Sequence, residues 1–169
     1  LHAVIEALRE HQREAGVTSR SLRSPSKAVV LDNGSGMMKL GFAGDDNPRV
    51  QLPAVVGRDK RGAIVAVGKE AAREGLTVSS PITAKGVSDW DGLRALWKQG
   101  LGQLQVAPEE HNILLLVSSE IANEDLTRLV EGLFRWFKVE AAFVIRRSTF
   151  PSIEGRRQQE VAGSKDMTL

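Results

Sequence analysis

The chain has 169 residues, enough for one domain with a substantial core. Its 41% hydrophobic and 26% charged content is that of a soluble globular protein, and 23 basic against 21 acidic side chains leave a net charge of only +2. No basic run is dense enough for a nucleic-acid surface, no stretch approaches a membrane span, and the lack of cysteine removes disulfides, thiol catalysis and cysteine-ligated zinc.

Residues 1–15 read as an amphipathic helix, with Leu1, Val4, Ile5 and Leu8 at helical spacing. They are charged throughout and lack the apolar centre of a signal peptide, so a cytoplasmic or nuclear location is the expectation. Residues 16–26, rich in Ser and Arg and containing Pro25, read as a linker. The ordered domain is expected over residues 27–147.

"KAVVLD" has the length and composition of a strand, and Asn33-Gly34 is a hairpin signal because both residues tolerate positive φ. "MMKLGFAG" alternates Met38, Leu40 and Phe42 with Lys39 and Gly41 and reads as the returning strand. "RVQLPAVVG" reads as a third strand broken at Pro53, and "VGKEAAREG" as a short helix ended by Gly75. In "SDWDGLRALWKQG", Ser88 is placed to cap a helix and Gly100 to end it. "NILLLVSS" reads as a buried strand. Asn123 is placed to cap a second helix with the stripe Leu126, Leu129, Val130, Leu133, Phe134 and Phe137; Trp136 falls off that stripe and is expected to be exposed. "VEAAFVI" reads as the last strand. Three hairpin-linked strands followed by helix, strand, helix, strand predict a mixed five-stranded sheet with helices on its faces and parallel pairing across the final crossover.

The bend Gly34-Ser35-Gly36 supports two readings. It is a tight turn that needs glycine, or a nest of backbone N–H groups for an anion, with the Ser35 hydroxyl, Lys39 as a cation, and Asp32 placed to hold a water on Mg²⁺. It matches neither a Walker A loop nor a GxGxxG fingerprint. His2, His11 and His111 have no partner at metal spacing; His111 reads as a turn residue, and Asp45-Asp46 as an exposed turn.

"LDNGSGMMKLGFAGDDNPRVQLPAVVGR" and "ITAKGVSDWDGLRALW" closely resemble consecutive segments of actin, and "VAPEEH", Val106 to His111, matches an actin signature. The resemblance covers about residues 27–147 and implies a single ribonuclease-H-like, actin-type domain. That is the first half of a fold that encloses ATP between two such domains. It further implies that Asp32 orders water on the metal of Mg-ATP, that Gly34, Ser35, Gly36 and Met37 form the first phosphate loop, and that Lys39 contacts phosphate.

The departures from the family matter equally. Only "DKRGAIVA" stands where the family carries an extended filament-contacting loop, so the small subdomain is expected to be absent. The second phosphate loop and the adenosine pocket of the second domain are missing. Arg147 stands where the family has a water-positioning glutamine, and residues 148–169 read as a divergent, flexible tail of a truncated or variant form. One phosphate loop leaves the far side of ATP hydrated, and association itself costs several kcal/mol. The expectation is a non-catalytic actin-like protein with a weak or vestigial site, no filament formation, and cytoskeletal or actin-family binding proteins as partners. The alternative is an ATP-binding, actin-type ATPase of which this is the N-terminal half. The apolar surface left by a missing second domain is expected to be covered by the N-terminal helix or to meet a partner.

Overall fold

The computed structural model describes residues 27–149. The expected N-terminal helix, the linker and the tail from Phe150 onward lie outside these residues. Strand β1 (Val29–Asp32) is followed by β2 (Met37–Phe42) and β3 (Val50–Pro53), and the chain then leaves the sheet. Strands β4 (Val56–Arg58), β5 (Ile64–Val67) and β6 (Thr77–Ser79) come next, with a short 3-10 turn at Gly68–Ala72. Helix α1 (Trp90–Leu104), β7 (Ile113–Val117), α2 (Asn123–Phe137) and β8 (Ala142–Arg146) complete the order.

The main sheet runs β3-β2-β1-β7-β8. The first three strands are antiparallel neighbours, whereas β1–β7 and β7–β8 pair in parallel, as a strand-helix-strand order requires. The expected five-stranded mixed sheet is therefore present. Its hydrophobic core takes one side only. Val29, Leu31, Met38, Leu40, Ile113 and Leu115 lie on that side and pack with Leu93, Leu96 and Trp97 of α1 and Leu129 and Leu133 of α2 in one cluster. Both helices thus cover the same face, where the sequence had suggested helices on each.

Residues 56–79 correct the expectation that the small subdomain is absent. They form a second, three-stranded antiparallel sheet in the order β5-β4-β6. Pro53 has no N–H to continue the ladder and closes β3, which frees the chain to start a new sheet. Where the resemblance implies a long loop, the chain makes a tight hairpin at residues 59–63. There the Asp59 carboxylate accepts from the N–H groups of Arg61 and Ala63, and Gly62 takes a positive φ of 82°. Arg58 ties this sheet to α1 through a 2.6 Å ion pair with Asp89.

Helix ends differ from their sequence signals in instructive ways. Asp89, not Ser88, caps α1, its side chain accepting from the Gly92 N–H at 3.0 Å. The helix runs past Gly100, which is buried so closely against the sheet that a Cβ there would lie 2.7 Å from side-chain atoms of Leu40 and Met38. Gly100 lets the helix approach the sheet, and the helix ends instead at Gln105 in the left-handed region. Ala122 holds the N-cap place of α2 without a side-chain bond, and Asn123 sits in the first turn. Trp136 is only half-exposed, its ring 6.0 Å from that of Trp97 and 6.5 Å from that of Phe137.

Candidate functional site

The end of β1 and the start of β2 bring the residues of interest together. Asp32 and Lys39 are register partners across the hairpin, so both project from the sheet face that carries no helix among the described residues. Between them residues 33–36 form the bend. Asn33 points inward: it is 4% exposed, and its Oδ1 accepts from the indole N–H of Trp97 at 3.1 Å. Its own N–H donates to the Leu116 carbonyl of β7 at 2.9 Å, so the bend is fixed to both a helix and the neighbouring strand.

Gly34 is required, although not for the reason the sequence suggested. Neither Asn33 nor Gly34 has a positive φ. A Cβ on Gly34 would lie 2.3 Å from the Met37 carbonyl oxygen, a contact no side chain can make. The glycine answers a close backbone approach, not a left-handed turn. Ser35 and Gly36 are exposed at the tip. Their carbonyls face away from that opening: Gly36 O accepts from the Ala54 N–H at 3.0 Å, and Ser35 O lies 3.2 Å from the Ser80 hydroxyl. Ser80 also reaches the carbonyls of Ala54 and Ile82, both at 2.9 Å, so one side chain ties the bend to the start of the small sheet. Sequence spacing gave no hint of Ser80, which lies far along the chain from the bend.

The decisive contact is at Asp32. Its carboxylate receives Nε of Arg147 at 3.1 Å and a second, closer bond from an Nη of the same guanidinium. Arg147 follows β8 directly and comes back over the end of the sheet; the same Nη is the side-chain atom nearest Gly34. Lys39 makes no ion pair among the described residues, although it faces Asp32 across the hairpin. The end of the sheet therefore presents two cationic side chains and one carboxylate that is already matched.

This donor set is a poor match for Mg-ATP. A hydrated Mg²⁺ needs carboxylate oxygens free to hold its waters, in a region of negative potential. Here the one carboxylate faces a guanidinium, and among the described residues no three His, Asp or Glu side chains gather as ligands. The concavity beside the site holds about 270 Å³, is open to solvent, and is lined by Val30, Asp32, Lys39, Gly41 and the turn at residues 43–48. That volume lies just under the range of enclosed ligand sites. The ion pair itself is half in water, with side-chain exposures of 45% for Arg147 and 25% for Asp32, so it adds ~1 kcal/mol at most to stability. Its importance is the sign of the charge it places there.

The remaining candidates take structural places. His111 ends the short 3-10 turn at Pro108–Glu110, its Nδ1 3.0 Å from the Ala107 carbonyl. Asp45 pairs with Arg49 at 2.7 Å and Lys27 at 3.5 Å in the turn after β2. A family model described as Actin matches residues 23–157, which includes the whole described region and runs a little beyond Arg147.

Proposed function

Because the chain belongs to the actin family, we propose that it is a non-catalytic, actin-like structural or interaction protein whose nucleotide site is vestigial. The observation that carries this reading is the Asp32–Arg147 pair. The resemblance assigns Asp32 to metal-bound water, and a guanidinium occupies that carboxylate. A second positive group, Lys39, faces the same end of the sheet. Two cations beside a matched carboxylate favour a bare anion over a magnesium complex. Asn33, Gly34 and Ser80 hold the bend in place through contacts with the helix, the strand and the start of the small sheet. Those structural contacts account for the glycine-rich bend without any bound phosphate.

Hydrolysis would need a positioned water and closure around the γ-phosphate. Arg147 stands where the family's water-positioning glutamine is expected, and a guanidinium is a donor only, unable to accept a proton from water. Partners of this chain are then proteins, cytoskeletal ones or others that bind actin-family surfaces.

Calorimetric titration of the full chain with Mg-ATP tests the proposal. The expected result is no binding heat up to millimolar nucleotide, with Arg147→Gln changing little because the bend by itself offers few contacts to a nucleotide. Micromolar binding that Asp32→Ala abolishes would overturn it in favour of an ATP-binding half of an actin-type ATPase.

A further inference from the structure

Strands β1, β7 and β8 run parallel, so the segments that follow Asp32, Val117 and Arg146 gather at one end of the sheet. In open sheets of this kind ligands are bound at the carboxyl ends of the strands. Here three consecutive residues of the chain lace that end together. The Arg146 guanidinium donates to the carbonyls of Ser119 at 2.9 Å and Ile121 at 2.7 Å, and to Oδ1 of Asn123 at 3.0 Å. The Ser148 N–H donates to the Ser119 hydroxyl at 3.0 Å. Both neighbours of Arg147 are thus anchored to the segment that leads into α2. Arg147 instead reaches across the end of β7, and among the described residues its side chain bonds only to Asp32. Asp32 in turn closes β1, the central strand. The pair is weak in energy, but both of its partners are held in position.

We infer that Arg147 is a resident cation, built into the chain, that takes the place of a divalent metal ion at Asp32 and keeps one away. Changing this one side chain turns the end of the sheet into a weak divalent-cation site. The inference rests on the reading of the nucleotide site as vestigial and adds what enforces the loss. Charge decides it. Asp32 faces Lys39 across the hairpin and the guanidinium from the other side, so the three groups sum to one positive charge, which repels a divalent ion. The register row continues through Leu116 and Ile145, which bring no charge of their own. Without the guanidinium, Asp32 and Lys39 balance. With a carboxylate in its place the sum turns negative, and two oxygen ligands of the kind hard divalent ions favour stand side by side.

Manganese(II) alone, added to the full chain without nucleotide, is the probe, because its unpaired electrons broaden nearby amide signals even when binding is weak. In the wild type, Asn33 and Gly34 should broaden no more than Gly62, which reports adventitious binding at the exposed Asp59 turn. In Arg147→Gln the Mn²⁺ concentration that halves the Asn33 and Gly34 signals should fall about fivefold at constant ionic strength, and in Arg147→Glu roughly tenfold. Arg147→Lys keeps the charge and should match the wild type, and adding Asp32→Asn to Arg147→Glu should remove most of the gain. Native shifts of Leu93 and Leu129 show that each variant is folded; if Arg147→Glu is not, the other arms still decide. The inference is overturned by wild-type broadening centred on Asn33, by a folded Arg147→Gln no more sensitive than the wild type, by Arg147→Lys behaving as Arg147→Gln, or by a gain that survives Asp32→Asn. The Mg-ATP titration judges the nucleotide reading separately, since no nucleotide is present here.

Discussion

Asp89 shows how one side chain serves both the small sheet and a helix. Burial pushes its carboxyl upward, but the Gly92 N–H, the Arg58 guanidinium and the Asp91 N–H outweigh burial and hold it below its ordinary value of 3.8. A carboxyl held low in the folded state stabilises above its unfolded value. That contribution is lost as pH falls below 3.8 toward the folded value. Asp89→Asn keeps a capping oxygen and removes the charge, which isolates the Arg58 interaction. Urea midpoints should place the variant below the wild type by about 1 kcal/mol near pH 6, with the gap closing in acid. Asp45, also held low by its bond to Arg49, is common to both proteins and cancels in the comparison. A gap that persists unchanged below pH 3 would show that the cap geometry, not the charge, carries the effect. Arg147 teaches the complementary lesson. The chain order placed it after the last strand, but nothing in the spacing announced that it would turn back onto Asp32, because that contact joins the two ends of the domain.

At the level of elements, legibility follows locality. Strand and helix identities in the main sheet were readable because periodicity and length report burial, as in α2 and the continuous run of β7. Ends were read less well. Gly100 looked like a stop signal, whereas tertiary packing against Leu40 and Met38 claimed it for close approach. Its neighbour Gly102 is exposed, and a Cβ there would meet nothing within 4 Å. The same substitution should therefore have opposite signs one turn-fraction apart. Gly102→Ala is expected to stabilise α1 by about 0.5–1 kcal/mol through helix propensity. Gly100→Ala gains the same propensity but drives a methyl into the sheet, and a net loss of about 1 kcal/mol or more is expected in chemical denaturation. Equal effects of the two changes would mean that α1 does not pack on β2 as closely as these distances state. The small sheet was missed for a related reason: its strands are short, β6 is exposed along its whole length, and the strand-period signal is correspondingly thin.

For the molecule as a whole, family membership and the substitution of a tight hairpin for a long loop bear on assembly. The turn at residues 59–63 is folded back on itself by Asp59 and by the bond from Arg58 to the Gly62 carbonyl at 2.7 Å, leaving nothing extended to reach a neighbour. High-speed sedimentation under magnesium and potassium salt should leave the protein in the supernatant, with no rise in light scattering over time. Ordered filaments in the pellet would contradict this.

The position of β1 has a consequence for how the chain comes to be made. It lies at the centre of the sheet, yet its parallel neighbour β7 starts only at Ile113, and the strand beyond that at Ala142. A nascent chain emerging from the ribosome can close the hairpins of β1, β2 and β3 at once, but one side of β1 must wait while the small sheet and α1 are synthesised. During that interval its unsatisfied amides and the side chains meant for α1 and α2 are open to wrong pairing. Slowing synthesis between Arg58 and Asn112, or withholding chaperones, should therefore lower the yield of soluble protein more than the same delay placed after Arg146.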